Sequence, residues 1–183
     1  VVPAAKWKAM TICTMPILGF TMVFYSIMNL FHLDFLPKQM MEISYLGFLP
    51  YNIIGSFISA YIFFGAIQEE LIRCGKKRWV QLLTLSIMML PACMMSVTTS
   101  GDINVDLTVQ GFITLCYCSW IYGKTRSTII LIVLYFVSNL VPFHFESKVL
   151  GILLLIAGTA LTIGGFAALS RKLPEMLVKD ENE

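Results

Sequence analysis

Long apolar stretches alternate with short polar segments along the whole chain. A helix needs roughly 20 apolar residues to cross about 30 Å of hydrocarbon, and six stretches approach or reach that length. They predict transmembrane helices at Met10–Phe31, Tyr45–Ile67, Trp79–Val97, Leu107–Tyr122, Thr128–Phe143 and Val149–Leu169. The pattern therefore predicts an all-α fold. We expect residues 1–172 to form a single bundle of six transmembrane helices, followed by a short cytoplasmic tail at 173–183.

The basic residues are sorted along the chain. Of the 13 lysines and arginines, all but Lys38 and Lys148 fall in four clusters. The clusters are Lys6/Lys8, then Arg73/Lys76/Lys77/Arg78, then Lys124/Arg126, then Arg171/Lys172/Lys179. Because short basic loops stay in the cytoplasm, the chain between neighbouring clusters must cross the membrane and return. This predicts three hairpins with both termini inside.

Composition supports the same class. Apolar residues make up 57% of the chain and charged residues 13%, whereas soluble domains have about 45–50% and 25%. The charges form no basic face of the kind that binds nucleic acid. We therefore expect a multi-pass protein of the plasma (inner) membrane. Its partners would be the lipid bilayer and either a membrane protein or a second copy of the chain.

Small residues recur at four-residue spacing in two of the predicted spans. Small side chains let helix backbones approach closely in lipid. The residues are Gly55 and Ser59 in the second span and Ala160, Gly164 and Ala168 in the sixth. They predict close-packing faces within the bundle, with a dimer face as the alternative.

Several polar residues lie deep in the predicted spans, which are also interrupted by prolines. The polar residues are Asn29, Asn52, Gln110, Ser138 and Asn139. They either fasten helices to each other by hydrogen bonds or line a polar pocket for a small solute. Prolines at positions 16, 50, 91 and 142 can kink helices, and broken helices mark binding sites in some transporters.

The sequence Gln68-Glu69-Glu70, followed by Arg73, ends the second span. Charged groups at membrane depth are costly and often functional. Here they lie beside four basic residues. Glu69 and Arg73 are spaced for an i,i+4 ion pair, and Glu70 can face Arg73 or Lys77. We interpret this inner-face charge cluster as an interfacial anchor for the second helix, with a functional role as the alternative.

The segment Glu69-Glu70-Leu71-Ile72-Arg73 also resembles the glutamate motif of the CAAX-type intramembrane proteases, Glu-Glu-x-x-x-Arg. In that family later helices supply Phe-x-x-x-His and His-x-x-x-Asn/Asp. Here the arginine comes one residue early, and the third span offers Cys93 but no histidine. The stretch from Tyr135 to Asn139 is similar in rhythm to the last motif, with tyrosine in place of histidine. The resemblance covers residues 69–139 and implies a protease-like relative without the usual catalytic groups.

An aromatic-His-apolar-acid pattern occurs twice, at the outer ends of two outward-going spans. It comprises Phe31-His32-Leu33-Asp34 and Phe143-His144-Phe145-Glu146. If the two ends adjoin, His32, Asp34, His144 and Glu146 could bind a divalent ion such as zinc or form a pH-sensitive contact. Simple solvation at the membrane surface is the third interpretation.

The sequence carries no Ser-His-Asp set, phosphate-binding loop or CxxC pair. We therefore expect no catalytic residue and no cofactor, and a protein that is not an enzyme. One hypothesis is a small-solute transporter or its membrane-embedded binding component. The alternative is a non-catalytic membrane subunit that docks a partner complex. A degenerate relative of the CAAX-type proteases is a further alternative.

Overall fold

The structure is a computed structural model that describes residues 4–31, 45–98, 105–138 and 147–179. Every secondary-structure element in these ranges is helical, which confirms the predicted all-α class. We number six helices in chain order. They are α1 (Ala4–Leu30), α2 (45–73), α3 (Arg78–Thr98), α4 (Val105–Thr125), α5 (Thr128–Ser138) and α6 (Lys148–Lys179).

These helices lie where the apolar stretches predicted them. The third and fourth exceed their predicted spans by one to three residues at each end. Helix α6 runs to Lys179 and therefore continues into the segment predicted as a tail. Helix α1 continues through Pro16, and the second helix continues through Pro50.

Helix α2 changes its winding twice. An α-helical segment, Tyr45–Ser59, leads into a π-helix, Ala60–Gln68, and then into a second α-helical segment, Glu69–Arg73. The junction residues Ser59 and Gln68 keep right-handed helical dihedrals, so the axis is continuous. A π-helix of this length is rare, and π-turns concentrate at functional sites. The residues at the end of this segment are therefore candidates for a functional site.

The apolar core lies between the helices and is centred on α5 and α4. Leu131 and Leu134 of α5, Ile121 of α4 and Phe64 of the π segment are fully buried there. Helix α5 contacts α1, α2 and α4, so it occupies the middle of the bundle.

Helix α6 packs at the side of the bundle, mainly against α1. The contact is unusually close. A Cβ placed on Gly158 would lie 2.8 Å from the carbonyl oxygen of Gly19, and one on Gly165 would lie 2.7 Å from Cδ of Pro16. Only glycine fits such an approach without displacing backbone or a proline ring. Gly158 lies opposite Gly19, whereas the later residue Gly165 lies opposite the earlier residue Pro16. The two helices are therefore antiparallel.

The four basic clusters meet at one end of the bundle. Tyr117 of α4 donates to the carbonyl of Cys13 and Tyr25 donates to Gln110, so α1 and α4 are also antiparallel. The ends of α4 and α6 therefore lie beside the start of α1. The end of α2 joins them, because Gln68 donates to the carbonyl oxygen of Ser119. We call this the basic end.

Two of the described helices are long and apolar enough to cross a membrane. They are the segments Trp7–Leu30 of α1, with mean hydropathy 1.6, and Lys148–Lys172 of α6, with mean hydropathy 2.2. The described part of α5 is apolar but has only 11 residues. The all-helical fold is therefore established for the described residues, whereas the six-span membrane bundle belongs with the proposals below.

Candidate functional site

The Glu69 carboxylate lies at the basic end and joins two helices and a loop. Its Oε2 accepts a hydrogen bond of 2.7 Å from Arg126 Nη1 and one of 3.0 Å from the Tyr122 hydroxyl. Its Oε1 lies 3.5 Å from Nε of Arg73, the predicted i,i+4 partner. Two hydrogen-bond donors and the Arg73 cation thus converge on one carboxylate, whose side chain is 25% exposed.

These donors set the ionisation state of Glu69. Partial removal from water raises the pKa of its carboxyl. This is the largest single effect on the pKa, but the hydrogen bonds from Arg126 and Tyr122 and the charges of Arg126 and Arg73 together outweigh it. The net result is a pKa below the ordinary value of 4.5. Glu69 therefore remains ionised at neutral pH and neutralises part of the positive charge around it.

Glu70 makes different contacts from its neighbour Glu69. Its side chain is exposed, and its carboxylate accepts a long contact of 3.9 Å from the Cys74 thiol. Among the described residues it forms no ion pair with Arg73 or Lys77, the partners suggested by its spacing. At the end of α2, Glu69 therefore contacts the rest of the bundle, whereas Glu70 lies on the outward face.

A buried amide cluster lies one residue before Glu69. Gln68 Nε2 donates to Gln81 Oε1 at 3.2 Å and to the carbonyl oxygen of Ser119 at 3.0 Å. Gln81 Nε2 in turn donates to the carbonyl oxygen of Lys76 at 2.8 Å. The cluster therefore connects α2, α3 and α4 with the loop between α2 and α3. Within the described part of the chain, the buried Gln68 Oε1 has no hydrogen-bond donor.

Both loops at this end contain a residue in the left-handed region close to their start. Gly75 has φ of 65°, and the amides of Gly75 and Lys76 bond the carbonyls of Ile72 and Leu71. This is the Schellman arrangement, in which glycine is the usual residue. At the end of α4 the same position is held by Arg126, with φ of 49° and its amide bonded to the carbonyl of Tyr122. A β-carbon at such a φ costs about 1–2 kcal/mol. The contact of the arginine side chain with Glu69 offsets part of that cost.

The contacts of Tyr122 and Arg126 with Glu69 are not among those that the sequence predicts. Tyr122 ends the fourth predicted span, where an aromatic side chain commonly faces the lipid interface, but it is only 3% exposed. Its ring lies beside Phe64 and its hydroxyl points to Glu69. Trp7 and Trp79 are 57% and 63% exposed and lie beside basic residues, where tryptophan is common at a membrane interface.

The predicted pocket residues bond to other parts of the chain. Gln110 accepts from the Tyr25 hydroxyl at 3.1 Å, and Asn52 Nδ2 donates to the carbonyl of Phe136 at 3.4 Å. Asn29 Nδ2 donates to the carbonyl of Tyr25 and Ser138 Oγ to that of Tyr135. Gln110 and Asn52 therefore bridge helices, and the bonds of Asn29 to Tyr25 and of Ser138 to Tyr135 lie within one helix. Asn139 lies outside the described residues.

The predicted small-residue faces differ from the contact that the structure forms. Ala160 and Gly164 are exposed, and a Cβ on Gly164 would meet nothing within 4 Å. Ala168 is half-buried. The α1 contact uses Gly158 and Gly165 instead, because that side of α6 faces α1. On α2, Gly55 likewise has open space around it and Ser59 is half-buried.

The paired histidine pattern cannot be placed, since His32, Asp34, His144 and Glu146 lie outside the described residues. Within the described ranges, no group of three or more His, Cys, Asp or Glu side chains is arranged to hold a metal ion.

The fold and the site thus define an all-helical protein with at least two helices suited to a membrane and a charged cluster at one end. No family model matches the chain, and neither a curated protein nor a solved structure is similar enough to count as a match.

Proposed function

We propose that the chain is a multi-pass protein of the plasma (inner) membrane, with six transmembrane helices and both termini in the cytoplasm. The meeting of all four basic clusters at one end of the bundle supports this placement. Positive loops stay on the cytoplasmic side, and here the helix directions bring them to one side. The exposed apolar surface of α6, including Ile152, Ile156 and Ile163, fits a lipid-facing helix.

We infer further that the protein is a non-catalytic subunit that docks a helix of a partner membrane protein on the outer face of α6. The open row at Ala160 and Gly164 carries this inference. Small residues permit close helix approach in lipid, yet these two face away from α1. The engagement of Gln110 and Asn52 in interhelical bonds weighs against a pocket built from those amides.

Co-purification in a mild detergent tests the docking function. The wild-type chain should bring down a membrane protein in fixed stoichiometry. Gly164→Leu should lose it without a fall in melting temperature, since the new side chain points into open space. Gly111→Leu is the matched control, because a Cβ at Gly111 on α4 also meets nothing within 4 Å. Retention of the partner by Gly164→Leu, or a complex containing only copies of this chain, would contradict the proposal.

Small-solute transport is the second candidate. It is favoured by Gln68 Oε1, a buried side-chain oxygen at the end of a π-helix that has no donor among the described residues, because π-helices are frequent at functional sites. A solute that raises the melting temperature of the wild type, but not that of Gln68→Met, would favour transport over docking.

An enzymatic role has less support. A carboxylate saturated by Arg126, Tyr122 and Arg73 is a weak general base, since its donors stabilise the charged form. The geometry favours an anchoring role for Glu69 over that of the glutamate in a CAAX-type protease.

A further inference from the structure

The two loops at the basic end form one cationic surface. We define the basic patch as Arg73, Lys76, Lys77, Arg78, Lys124 and Arg126, all of which are exposed. Arg78 connects the two loops: a Cβ placed on Gly123 would lie 3.4 Å from its Nη2. Residues 45 or more positions apart in sequence therefore share one surface.

Little of this charge is neutralised within the described part of the chain. Residues 69–78 and 123–127 carry the six basic groups of the patch and two carboxylates, Glu69 and Glu70, which leaves a net charge of 6 − 2 = +4. Glu69 pairs with Arg73 and Arg126. Among the described residues, no carboxylate lies within ion-pair distance of Lys76, Lys77, Arg78 or Lys124. Four cations therefore face outward and remain available to an external anion.

The patch is held in a fixed shape rather than carried on a loose loop. The Schellman turn at Gly75 reverses the chain directly after Arg73. The buried Gln81 amide then holds the carbonyl of Lys76 at 2.8 Å. On the other loop, the contact of Arg126 with Glu69 fixes the start of the turn. A pre-ordered cationic surface loses little conformational entropy when an anion binds.

The surroundings of the patch indicate which anion it fits. Trp79 follows Arg78 directly and is 63% exposed. Exposed apolar residues, Leu83 and Ile87, continue one and two turns further along α3. Along α3 the cations are followed by a tryptophan and then by an apolar surface. This sequence matches the order of layers in a bilayer, from headgroup to hydrocarbon. An acidic soluble protein would leave Trp79 and the apolar residues uncovered.

We propose that the basic patch binds the phosphate-bearing headgroups of anionic phospholipids in the cytoplasmic leaflet. This inference rests on the proposed membrane placement but not on the proposed docking of a partner. Juxtamembrane clusters of four or more basic residues attract anionic lipid. The patch would select such lipids around α2, α3 and α4 from a mixed bilayer.

The test uses the full chain in a non-ionic detergent, with dioleoyl phosphatidylglycerol as the anionic probe and dioleoyl phosphatidylcholine as the neutral one. Native mass spectrometry measures the lipid concentration at which half of the protein retains lipid. Phosphatidylglycerol should bind at least tenfold more tightly than phosphatidylcholine. The triple variant Lys76→Gln/Lys77→Gln/Lys124→Gln should weaken phosphatidylglycerol binding by tenfold or more and leave phosphatidylcholine unchanged.

Two control variants separate the patch from general charge. Lys76→Arg/Lys77→Arg/Lys124→Arg keeps the charge and should bind as the wild type does. Lys148→Gln removes an exposed lysine at the start of α6, away from the basic end, and should also have no effect. Should the triple glutamine variant fail to fold, the wild type still decides the question, because 0.5 M salt must weaken its phosphatidylglycerol binding.

Equal affinity for the two lipids, or wild-type affinity in the triple glutamine variant, would overturn the proposal. Displacement of the lipid by an equal concentration of inorganic phosphate would also overturn it and leave a free-anion site. Loss of partner co-purification would not change this lipid measurement. The two proposals can therefore fail separately.

Discussion

At the scale of single residues, Glu69 joins the end of α2 to the end of α4. Its neighbour Glu70 has the same charge and nearly the same sequence position, but it faces outward without an ion pair among the described residues. The two glutamates therefore allow a comparison between a carboxylate with two ion pairs and one without an ion pair among the described residues.

We expect Glu69→Gln to destabilise the protein by about 1 kcal/mol, since exposed ion pairs contribute about 0.2–1 kcal/mol and the Tyr122 hydrogen bond is weakened as well. Glu70→Gln should change stability by less than half of that. Unfolding in detergent, followed by circular dichroism, measures both. An equal loss in the two variants would show that the contacts of Glu69 with Tyr122 and Arg126 contribute nothing.

The same contacts predict a dependence of stability on pH. An unfolded Glu69 takes up a proton near pH 4.5, whereas the folded carboxyl takes it up only at lower pH, because its pKa is lowered. Its contribution to stability is therefore complete above pH 4.5 and is lost as the pH falls through the lowered pKa. Melting curves between pH 3 and 7 should show a smaller loss at acid pH in Glu69→Gln than in the wild type.

Sequence spacing could identify only part of this site. The i,i+4 relation predicts the contact of Glu69 with Arg73, because a helix alone brings them together. Tyr122 and Arg126 lie 53 and 57 positions away, and no local rule connects them with Glu69. Only the packing of α2 against α4 brings them there. The left-handed backbone of Arg126 gives no signal either, since glycine is the usual residue at that position.

At the scale of helices, the contact between α1 and α6 depends on which glycines face inward. We expect Gly158→Ala to destabilise the protein by about 1–3 kcal/mol, since overpacking forces the backbones apart. Gly165→Ala should behave similarly, because its Cβ would meet the ring of Pro16. Gly164→Ala should be neutral or stabilise by up to about 1 kcal/mol, because alanine favours a helix.

Thermal unfolding of the three variants in the same detergent decides this prediction. Comparable losses for Gly158→Ala and Gly164→Ala would mean that the second face of α6 is also packed. Small residues lie on several sides of α6, so spacing alone favoured the row at Ala160, Gly164 and Ala168. The side that packs is decided by α1, where Gly19 and Pro16 leave room for the glycines of α6.

At the scale of the whole molecule, the order of basic and apolar segments was enough to predict six helices. The bounds of α3 and α4 agree within three residues, whereas α1 and α2 extend six residues and α6 ten residues beyond a predicted end. The order of segments could also predict that the basic clusters share one side, because antiparallel neighbours joined by short loops alternate in direction. The winding of α2 could not be predicted, since nothing in the sequence of residues 60–68 distinguishes a π-helix from an α-helix.

Orientation across a membrane provides the test at this scale. A reporter fused after Glu183 should be active only in the cytoplasm. A cysteine introduced at Asp102 or Ser147 should react with a membrane-impermeant maleimide in intact cells. The native Cys74, exposed at the basic end, is the internal control and should react only after the cells are opened. External activity of the fused reporter would contradict the proposed topology.

The number of residues in the π-helix of α2 determines which way the residues that follow it face. Successive residues of an α-helix are about 100° apart around the axis. Loss or gain of one residue between Ala60 and Gln68 would therefore turn Glu69 away from Tyr122 and carry Gln68 out of its bonds with Gln81. Homologous chains should thus tolerate substitutions on the exposed side of this segment, at Tyr61 and Ile62, far more readily than insertions or deletions.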